Sequence, residues 1–498
     1  MRTVPGRTDR VVVVGAGLGG LSAALFLAGA GREVTVLERE PVPGGRCGLI
    51  RDGGYAFDTG PTVLTMPELV AAPLHAVGEE LSDWLTLHRL DPAYRARFAD
   101  GSSIDVRADA EAMASEIAAT CGPREADGYR RFVAFLAELY RTELPHFIDR
   151  NLDSPLQLVG APLARLAAMG GFRRLGPKVA SFFADERLRR LFSFQAMYAG
   201  LSPARALAIY SVITYMDTVA GVYFPEGGMH AVPRALAAAA QKHGVTIRYS
   251  TEVARVVVDG SRARGVETAD GERIAADAVV VNADLPTAYA RLMPHATTRR
   301  VRRLTYSPSA VVLHAGSSAS YPDAAHHVIN FGTAWDETFT QVIERGELMS
   351  DPSFLVTTPT LTDPSLAPDR RHTYYALFPA PNLDPRRPGI DWTRERVRHR
   401  DEIVRTLEAR GYPGFGDAIE CEHLVTPADW LAQGIAAGAP FAAAHSFGQT
   451  GPFRSPTIHP RIENLVFAGS NVQPGVGVPM VLVSGRLAAE RITGAMRR

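Results

Sequence analysis

A layered α/β protein is what this sequence predicts, and three observations carry the expectation. Strand-like β-branched runs punctuated by glycine occur at 11–60, 245–285 and 463–483. Between the first two, 105–220 reads mostly as helix through spacings such as Phe132, Phe135, Leu136 and Leu139, the period of one buried helix face. The chain of 498 residues is long enough for about three units of roughly 150 residues each. If the separated strand-rich stretches join one sheet, the remainder is inserted into it.

Composition narrows the function classes. Lys plus Arg number 53 and Asp plus Glu number 53, so the formal charges cancel. That argues against a general polyanion binder, and no nucleic-acid partner is expected. With 46% apolar and 21% charged residues, the chain is globular rather than disordered. Cys47, Cys121 and Cys421 are too few and scattered for a disulfide framework or a four-ligand zinc site, which suits a reducing cytoplasm. Adjacent His326 and His327 are expected to point apart, so no metal is assigned. The apolar run 11–14 behind Arg2, Arg7 and Arg10 is too short for a secretory segment. No run of 18 apolar residues occurs, so no bilayer span is expected and any membrane contact is peripheral.

The first chemical signal follows in chain order. Val11 to Val14 is a continuous apolar run, as suits a strand covered on both faces. Gly15, Gly17 and Gly20 then form a G-x-G-x-x-G turn into a helix from about Leu18 to Gly29. The first glycine permits the tight turn, the second lets backbone approach a pyrophosphate, and the third lets helix pack on strand. Phosphate charge there meets free N–H groups at the helix N-terminus. VTVL at 34–37 is a second strand ending at Glu38, placed to accept hydrogen bonds from a ribose hydroxyl pair. Gly44, Gly45 and Arg46 make a second glycine turn with a cation able to approach the phosphates. A nicotinamide enzyme has no need of that turn, whereas FAD proteins of the amine oxidase type resemble it, so FAD is the expected cofactor. Cys47 lacks a redox partner, since Asp52 stands where a dithiol enzyme would carry one, and no second dinucleotide motif follows a strand.

The chain resembles the bacterial-type phytoene desaturases over nearly its whole length. The matching stretches are GAGLGGLSAA, the GGR turn, FDTGPTV at 57–63, VASFFADERLRRLFSFQ at 179–195, GVYFPEGG at 221–228, TPADW at 426–430 and ENLVFAGSNVQPGVGVPMVLVSGRLAAERI at 463–492. The last is the narrowest signature. It reads physically as a strand ending at Gly469, a turn free of bulky side chains through Gly475, Gly477 and Val478, and a helix over Met480 to Arg491. Backbone in such a turn can lie against a flat ring, and the helix N-terminus can stabilise anionic reduced flavin. Where the family shows a Gly-Thr-His or Gly-Thr-Thr run, this chain has Asn471, Val472 and Gln473, so any Thr side-chain bond to the cofactor is lost. The stretch 250–284 reads as an antiparallel hairpin followed by a buried strand, and the resemblance implies that backbone near Val253 meets the adenine.

The resemblance implies a Rossmann-like FAD-binding domain of 1–104, 221–285 and 456–498, a helical, membrane-facing segment at 105–220, and an inserted mixed α+β substrate domain at 286–455. It implies FAD-dependent desaturation of phytoene in several steps, lycopene being the first choice of product, with oxygen or a quinone as terminal acceptor. Alternatives are a 3,4-desaturase, ketolase or isomerase acting on carotenoids and, more remotely, an amine oxidase or a non-catalytic prenyl carrier of the same fold. A long apolar polyene needs an apolar tunnel, for which Phe192, Phe194, Met197, Tyr198, Tyr210, Tyr215 and Tyr223 are candidates. The segment 155–183, with Arg165, Arg173, Arg174 and Lys178 and no acid before 183, is the candidate contact with the cytoplasmic face of the membrane. No catalytic acid or base is assigned, and Glu226, His230 and Arg454 read as surface or turn residues.

Overall fold

The computed structural model describes residues 1–494; the last four residues of the 456–498 stretch lie outside them. Strand Arg10–Val14 is the centre of a five-stranded, wholly parallel sheet. Ala278–Val281 and then Leu465–Phe467 lie on one side of it, and Glu33–Leu37 and then Thr246–Arg248 on the other. Alternate residues of these strands feed different cores. Val11, Val13, Val34, Val36 and Val280 join the core built from helices. Val12, Val14, Leu37, Val279 and Val281 pack beneath the antiparallel meander Val253–Asp259, Arg262–Thr268 and Arg273–Ala275. Cover on both faces is the reason these strands are apolar throughout rather than alternating.

On the helical face, the first helix, Leu18–Gly29, lies against the final helix, Val478–Thr493. The approach is close enough that a Cβ on Gly485 would sit 2.4 Å from the Gly19 carbonyl oxygen and 2.7 Å from the Ser22 Cβ. Ser22 Oγ donates across the interface to the Leu482 carbonyl at 2.7 Å.

The second domain is a seven-stranded mixed sheet. Its order is Ile419–Val425, Ser309–Ser317, His372–Ala380, Phe354–Thr357, His327–Phe331, Tyr94–Phe98 and Ser103–Val106. Tyr94–Phe98 and the start of Ser103–Val106 lie before 105, so the sheet draws on chain assigned by sequence to the first domain. Tyr94–Phe98 pairs in parallel with His327–Phe331, a partner more than two hundred residues away that no local pattern announces. The stretch 105–220 is mainly helical, with Ala110–Cys121 and Pro123–Glu143 its longest helices. Phe132, Leu136 and Leu139 are fully buried there. No described helix is long and apolar enough to cross a membrane.

His326 and His327 correct one expectation. Their rings lie side by side, centroids 4.5 Å apart, because His326 stands just outside the strand that begins at His327. Each Nδ1 meets a threonine hydroxyl, Thr362 at 2.6 Å and Thr357 at 2.9 Å. Burial holds the His326 imidazole down at about 3 and His327 well below its usual value. Among the described residues no three His, Cys, Asp or Glu side chains are gathered to hold a metal ion.

The helix contact yields a direct test. Gly485→Val forces the first and last helices apart, an overpacking cost of roughly 1–3 kcal/mol. Thermal or urea unfolding should show the loss; a stability equal to the parent would mean that the two helices do not approach this closely.

Candidate functional site

All five parallel strands end on the same side, and a cavity of about 1640 Å³ opens beyond the ends of four of them. Val14, Leu37, Val281 and Phe467 close their strands, and Gly15, Glu38, Asn282 and Gly469 line the cavity just past them. This is the crevice where open α/β sheets hold ligands. The first and final helices both begin here, capped by Gly17 and Gly477 with no side-chain hydrogen bond at either N-terminus. Their leading N–H groups and positive dipole ends therefore face the cavity without a protein partner from a capping side chain.

Glycine at these turns is a steric requirement. A Cβ on Gly20 would lie 2.1 Å from the Gly15 carbonyl oxygen, and one on Gly17 would lie 2.8 Å from Asn282 Oδ1. Gly44 (φ +124°) donates its N–H to the Ala16 carbonyl at 2.9 Å, and a Cβ there would meet the Cys47 carbonyl oxygen at 2.3 Å. The second glycine turn is thus laid directly on the first. Glu38 is buried, and its two oxygens accept the N–H groups of Ala16 at 2.6 Å and Glu40 at 3.0 Å. Burial raises its carboxyl above the usual value, and these two backbone bonds pull it back down. Each oxygen retains a second lone pair toward the cavity.

Of the other residues singled out by sequence, Gly45, Arg46, Val253 and Val478 also line the cavity. Gly20 and Gly475 are not among its lining; Gly475 instead gives room to the His445 ring, whose Cε1 would be 2.4 Å from a Cβ. Arg46 is directed elsewhere than expected. It donates to Asp284 Oδ2 at 2.8 Å and Ser470 Oγ at 2.5 Å. Asn471 completes that knot, donating to Asp284 at 2.8 Å and accepting the Ala443 N–H at 2.9 Å. Gln473 ties the turn to the helical segment through both backbone groups of Leu152. The departures from the family pattern are therefore structural bonds in this chain.

Two residues read as surface or turn are deeply buried. His230 is 3% exposed, its Nδ1 2.8 Å from the Cys47 carbonyl. Asp58 accepts the N–H groups of Met229 and His230, just before the helix that starts at Ala231, and its carboxyl is pushed up to about 6 by burial. Arg454 is 2% exposed and spends its guanidinium on the carbonyls of Val472, Gln449, Ala443 and Ser470. Cys47 is buried with its thiol pushed well up, which makes it unreactive.

The far part of the cavity is apolar. Phe194, Met197, Tyr198 and Tyr210 line it, joined by Ile329, Phe331 and Leu377 from the seven-stranded sheet. Phe192, Tyr215 and Tyr223 do not. Phe192 stacks with Tyr129 and Phe183 in the helical core, Tyr215 stacks on Tyr140 at 4.5 Å, and Tyr223 pairs as strand with Arg89. Two carboxyls that sequence reasoning missed open onto this apolar wall. Asp217 is 3% and Glu143 6% exposed, and Asp217 Oδ1 and Glu143 Oε1 have no hydrogen-bond partner. Asp217 Oδ2 accepts a long bond from Gln195 at 3.4 Å, and the local backbone at 217–218 also contributes hydrogen bonding to the carboxyl. Desolvation drives both carboxyls well above the carboxylate range. The available signal was that Asp217 is the only charged residue from 206 to 225.

Comparison with known proteins agrees with this architecture. Residues 18–493 match the flavin-containing amine oxidoreductase family. A phytoene dehydrogenase of Streptomyces griseus is 57% identical over 495 residues, covering 99% of this chain and 97% of its own. A zeta-carotene-forming phytoene desaturase of Myxococcus xanthus is 40% identical over 97% of this chain and 93% of its own. Among solved structures, putrescine oxidase bound to putrescine superposes with a TM-score of 0.63 at 16% identity, over 97% of this chain and 99% of that one, a likeness of fold.

The two unpartnered carboxyls fix a pH dependence. Their folded-state affinity for protons exceeds that of the unfolded chain, whose values lie at about 4. Their favourable contribution is full below about pH 4 and is lost as pH rises. Replacing both, Glu143→Gln with Asp217→Asn, should leave thermal stability nearly unchanged at acid pH and raise it relative to the parent as pH increases. A difference in melting temperature that does not grow with pH would show the two groups to be hydrated and ordinary.

Proposed function

The chain belongs to the flavin-containing amine oxidoreductases and, within them, to the phytoene desaturases, and on that premise we propose that it desaturates phytoene in several successive steps, ending at lycopene. The observation that carries this reading is the single cavity with two unlike ends. One end is walled by glycine turns and two bare helix N-termini, the other by aromatic and aliphatic side chains. Its volume of about 1640 Å³ exceeds the ~300–1,000 Å³ usual for a small-ligand pocket, and so has room for a dinucleotide beside a long chain.

The chain's residues fit FAD. Backbone at Gly15 and Gly17, with the N–H groups of the first helix, takes the pyrophosphate, and Gly44 and Gly45 complete the cradle. The free lone pairs of Glu38 would accept the ribose hydroxyls, and Val253 backbone would meet the adenine. Gly469, Gly477 and Val478, which line the cavity, would hold the flavin ring. Gly20 and Gly475 serve indirectly, by helix packing and by making room for His445, and Arg46 serves by bracing Asp284. When bound, the flavin supplies the hydride acceptor; reoxidation falls to oxygen or a membrane quinone.

Desaturation also requires a proton to leave the carbon chain. Asp217 Oδ1 is the atom proposed to receive it, being unpaired, shielded from water and set among Tyr94 and Tyr198 in the apolar wall. A carboxylate whose charge is poorly solvated regains a proton with greater driving force than one in water. The apolar wall orients a substrate that has no polar handle and keeps water out.

Substrate enters from lipid. Phe172 and Phe447 line the cavity and are 40% and 62% exposed, and Leu156 and Val159 on the adjoining segment are 79% and 73% exposed. With exposed Arg173 and Arg174 beside them, they form the face proposed to rest on the cytoplasmic side of the membrane.

Two outcomes test the reading. Gly17→Val, whose side chain would occupy the phosphate approach, should yield protein without flavin absorbance; a normal flavin spectrum there would move the cofactor site. Purified holoprotein given phytoene in vesicles, without nicotinamide cofactor, should develop the banded visible spectrum of a polyene. In that assay Asp217→Asn should keep flavin content and KM while lowering kcat roughly 10²-fold or more, and should lose the parent's rise in rate as pH ionises the carboxyl. Phytoene left unchanged by the parent would refute the substrate assignment, and an Asp217→Asn rate equal to the parent's would refute the role of Asp217.

A further inference from the structure

A second cavity, about 320 Å³ in volume, lies behind the turn that carries Ser470 and Asn471. Its walls come mainly from two segments far apart in sequence, 299–304 and 448–455, with Ala443 and Asn471 completing them. Arg299, Arg300, Arg303 and Arg454 line it, and no acidic residue does. None of these four guanidinium groups forms an ion pair within the described residues, although Arg386, which donates to the carbonyl of the lining residue Leu304, pairs with Asp384. Arg300 holds the arrangement together by donating to the Arg454 carbonyl at 3.1 Å.

Two buried groups on the wall point to a missing anion. Arg454, at 2% exposure, is a full charge removed from water and balanced only by carbonyl dipoles, the closest being Ser470 at 2.5 Å. Burial without a negative partner holds its guanidinium down at about 10. Isolated buried charge is costly unless an opposite charge or dense hydrogen bonding offsets it. Beside it, the Ser455 hydroxyl is 3% exposed and has no hydrogen-bond partner. An oxyanion would supply what both lack, since several guanidinium forks and a hydroxyl donor form the donor set that phosphate accepts.

We propose that this cavity is a binding site for a phosphate-type oxyanion, either the headgroup phosphate of an anionic phospholipid or the free ion. Phe453 and Asn471 line both this cavity and the large one, so the site opens beside the cavity mouth, next to exposed Phe447. A phospholipid held there by its phosphate would place its acyl chains along the same face through which an apolar substrate enters. The assignment does not rest on the desaturase reading, because the free-ion arm of the test needs neither substrate nor membrane.

The test uses holoprotein with its flavin bound. Thermal unfolding is followed in sodium phosphate and in sodium chloride of equal ionic strength, and flotation is followed with phosphatidylcholine vesicles with and without phosphatidylglycerol. The variants are Arg299→Gln with Arg303→Gln, and separately Ser455→Ala, which removes no charge; Arg173→Glu with Arg174→Glu is the control at the other basic surface. A phosphate-specific rise in melting temperature, with apparent affinity weakened about tenfold in the double arginine variant and measurably in Ser455→Ala, supports the site with the free ion as ligand. Flotation that prefers phosphatidylglycerol and is weakened in both cavity variants supports it with the headgroup as ligand. Phosphate indistinguishable from chloride together with no lipid preference overturns the proposal. So does a response that both cavity variants retain, or one lost only in the Arg173→Glu with Arg174→Glu control.

Discussion

Two helix N-termini without side-chain caps, brought to one crevice by a parallel sheet, are the constraint on which the rest of this molecule depends. Parallel strands end on one side, so each helix that follows a strand begins there. The first and final helices must lie nearly in contact for their leading N–H groups to share a cavity, and that contact admits no side chain at Gly485. The glycines of the turns and those of the helix interface thus answer the same demand. They let backbone reach positions where backbone donors, rather than side chains, face the ligand.

The remaining polar groups near the crevice are organised around desolvation. Asp284 is held by Arg46, Asn471 and the Ala436 N–H, so its buried charge is balanced and the loop after Ala278–Val281 is fixed against the turn at 469–473. Arg454 braces the same turn from behind through four carbonyls. The wall of the apolar chamber is different. Asp217 and Glu143 enter it with an unpartnered oxygen each, and the cheapest state for such a group is the neutral one. A chamber built to exclude water for a hydrocarbon necessarily makes any carboxyl in its wall an avid proton holder.

The same molecule shows why local pattern carries some assignments and misses others. The strand over Arg10–Val14, the helix over Leu18–Gly29 and the strand ending at Leu37 were legible because each is encoded within a few residues: a β-branched run, a glycine turn leading into the helix, and a second β-branched run. Gly15, Gly17, Glu38, Gly44 and Gly477 were legible as a group for the same reason. Gly20 and Gly475 also stood in the motif, but packing against Gly15 and His445, not lining the cavity, is what their missing side chains permit. Arg46 was legible as a cation near the site and not as the partner of Asp284, which stands 238 residues later.

What the sequence by itself determined is therefore the nucleotide half of the protein, since a tight turn, a close backbone approach and a strand covered on both faces are local demands that single residues must meet. What only the tertiary structure decided is the other half. Tyr94–Phe98 left its expected domain to pair with His327–Phe331, Phe194 and Tyr198 faced the chamber while Phe192 and Tyr215 turned into core, Asp217, Glu143 and Arg454 were buried, and the Ser455 hydroxyl was buried without a hydrogen-bond partner. Burial and pairing are properties of surfaces that meet only after folding, and a side chain's solvation, which sets its charge and its chemistry, is not written in its neighbours along the chain.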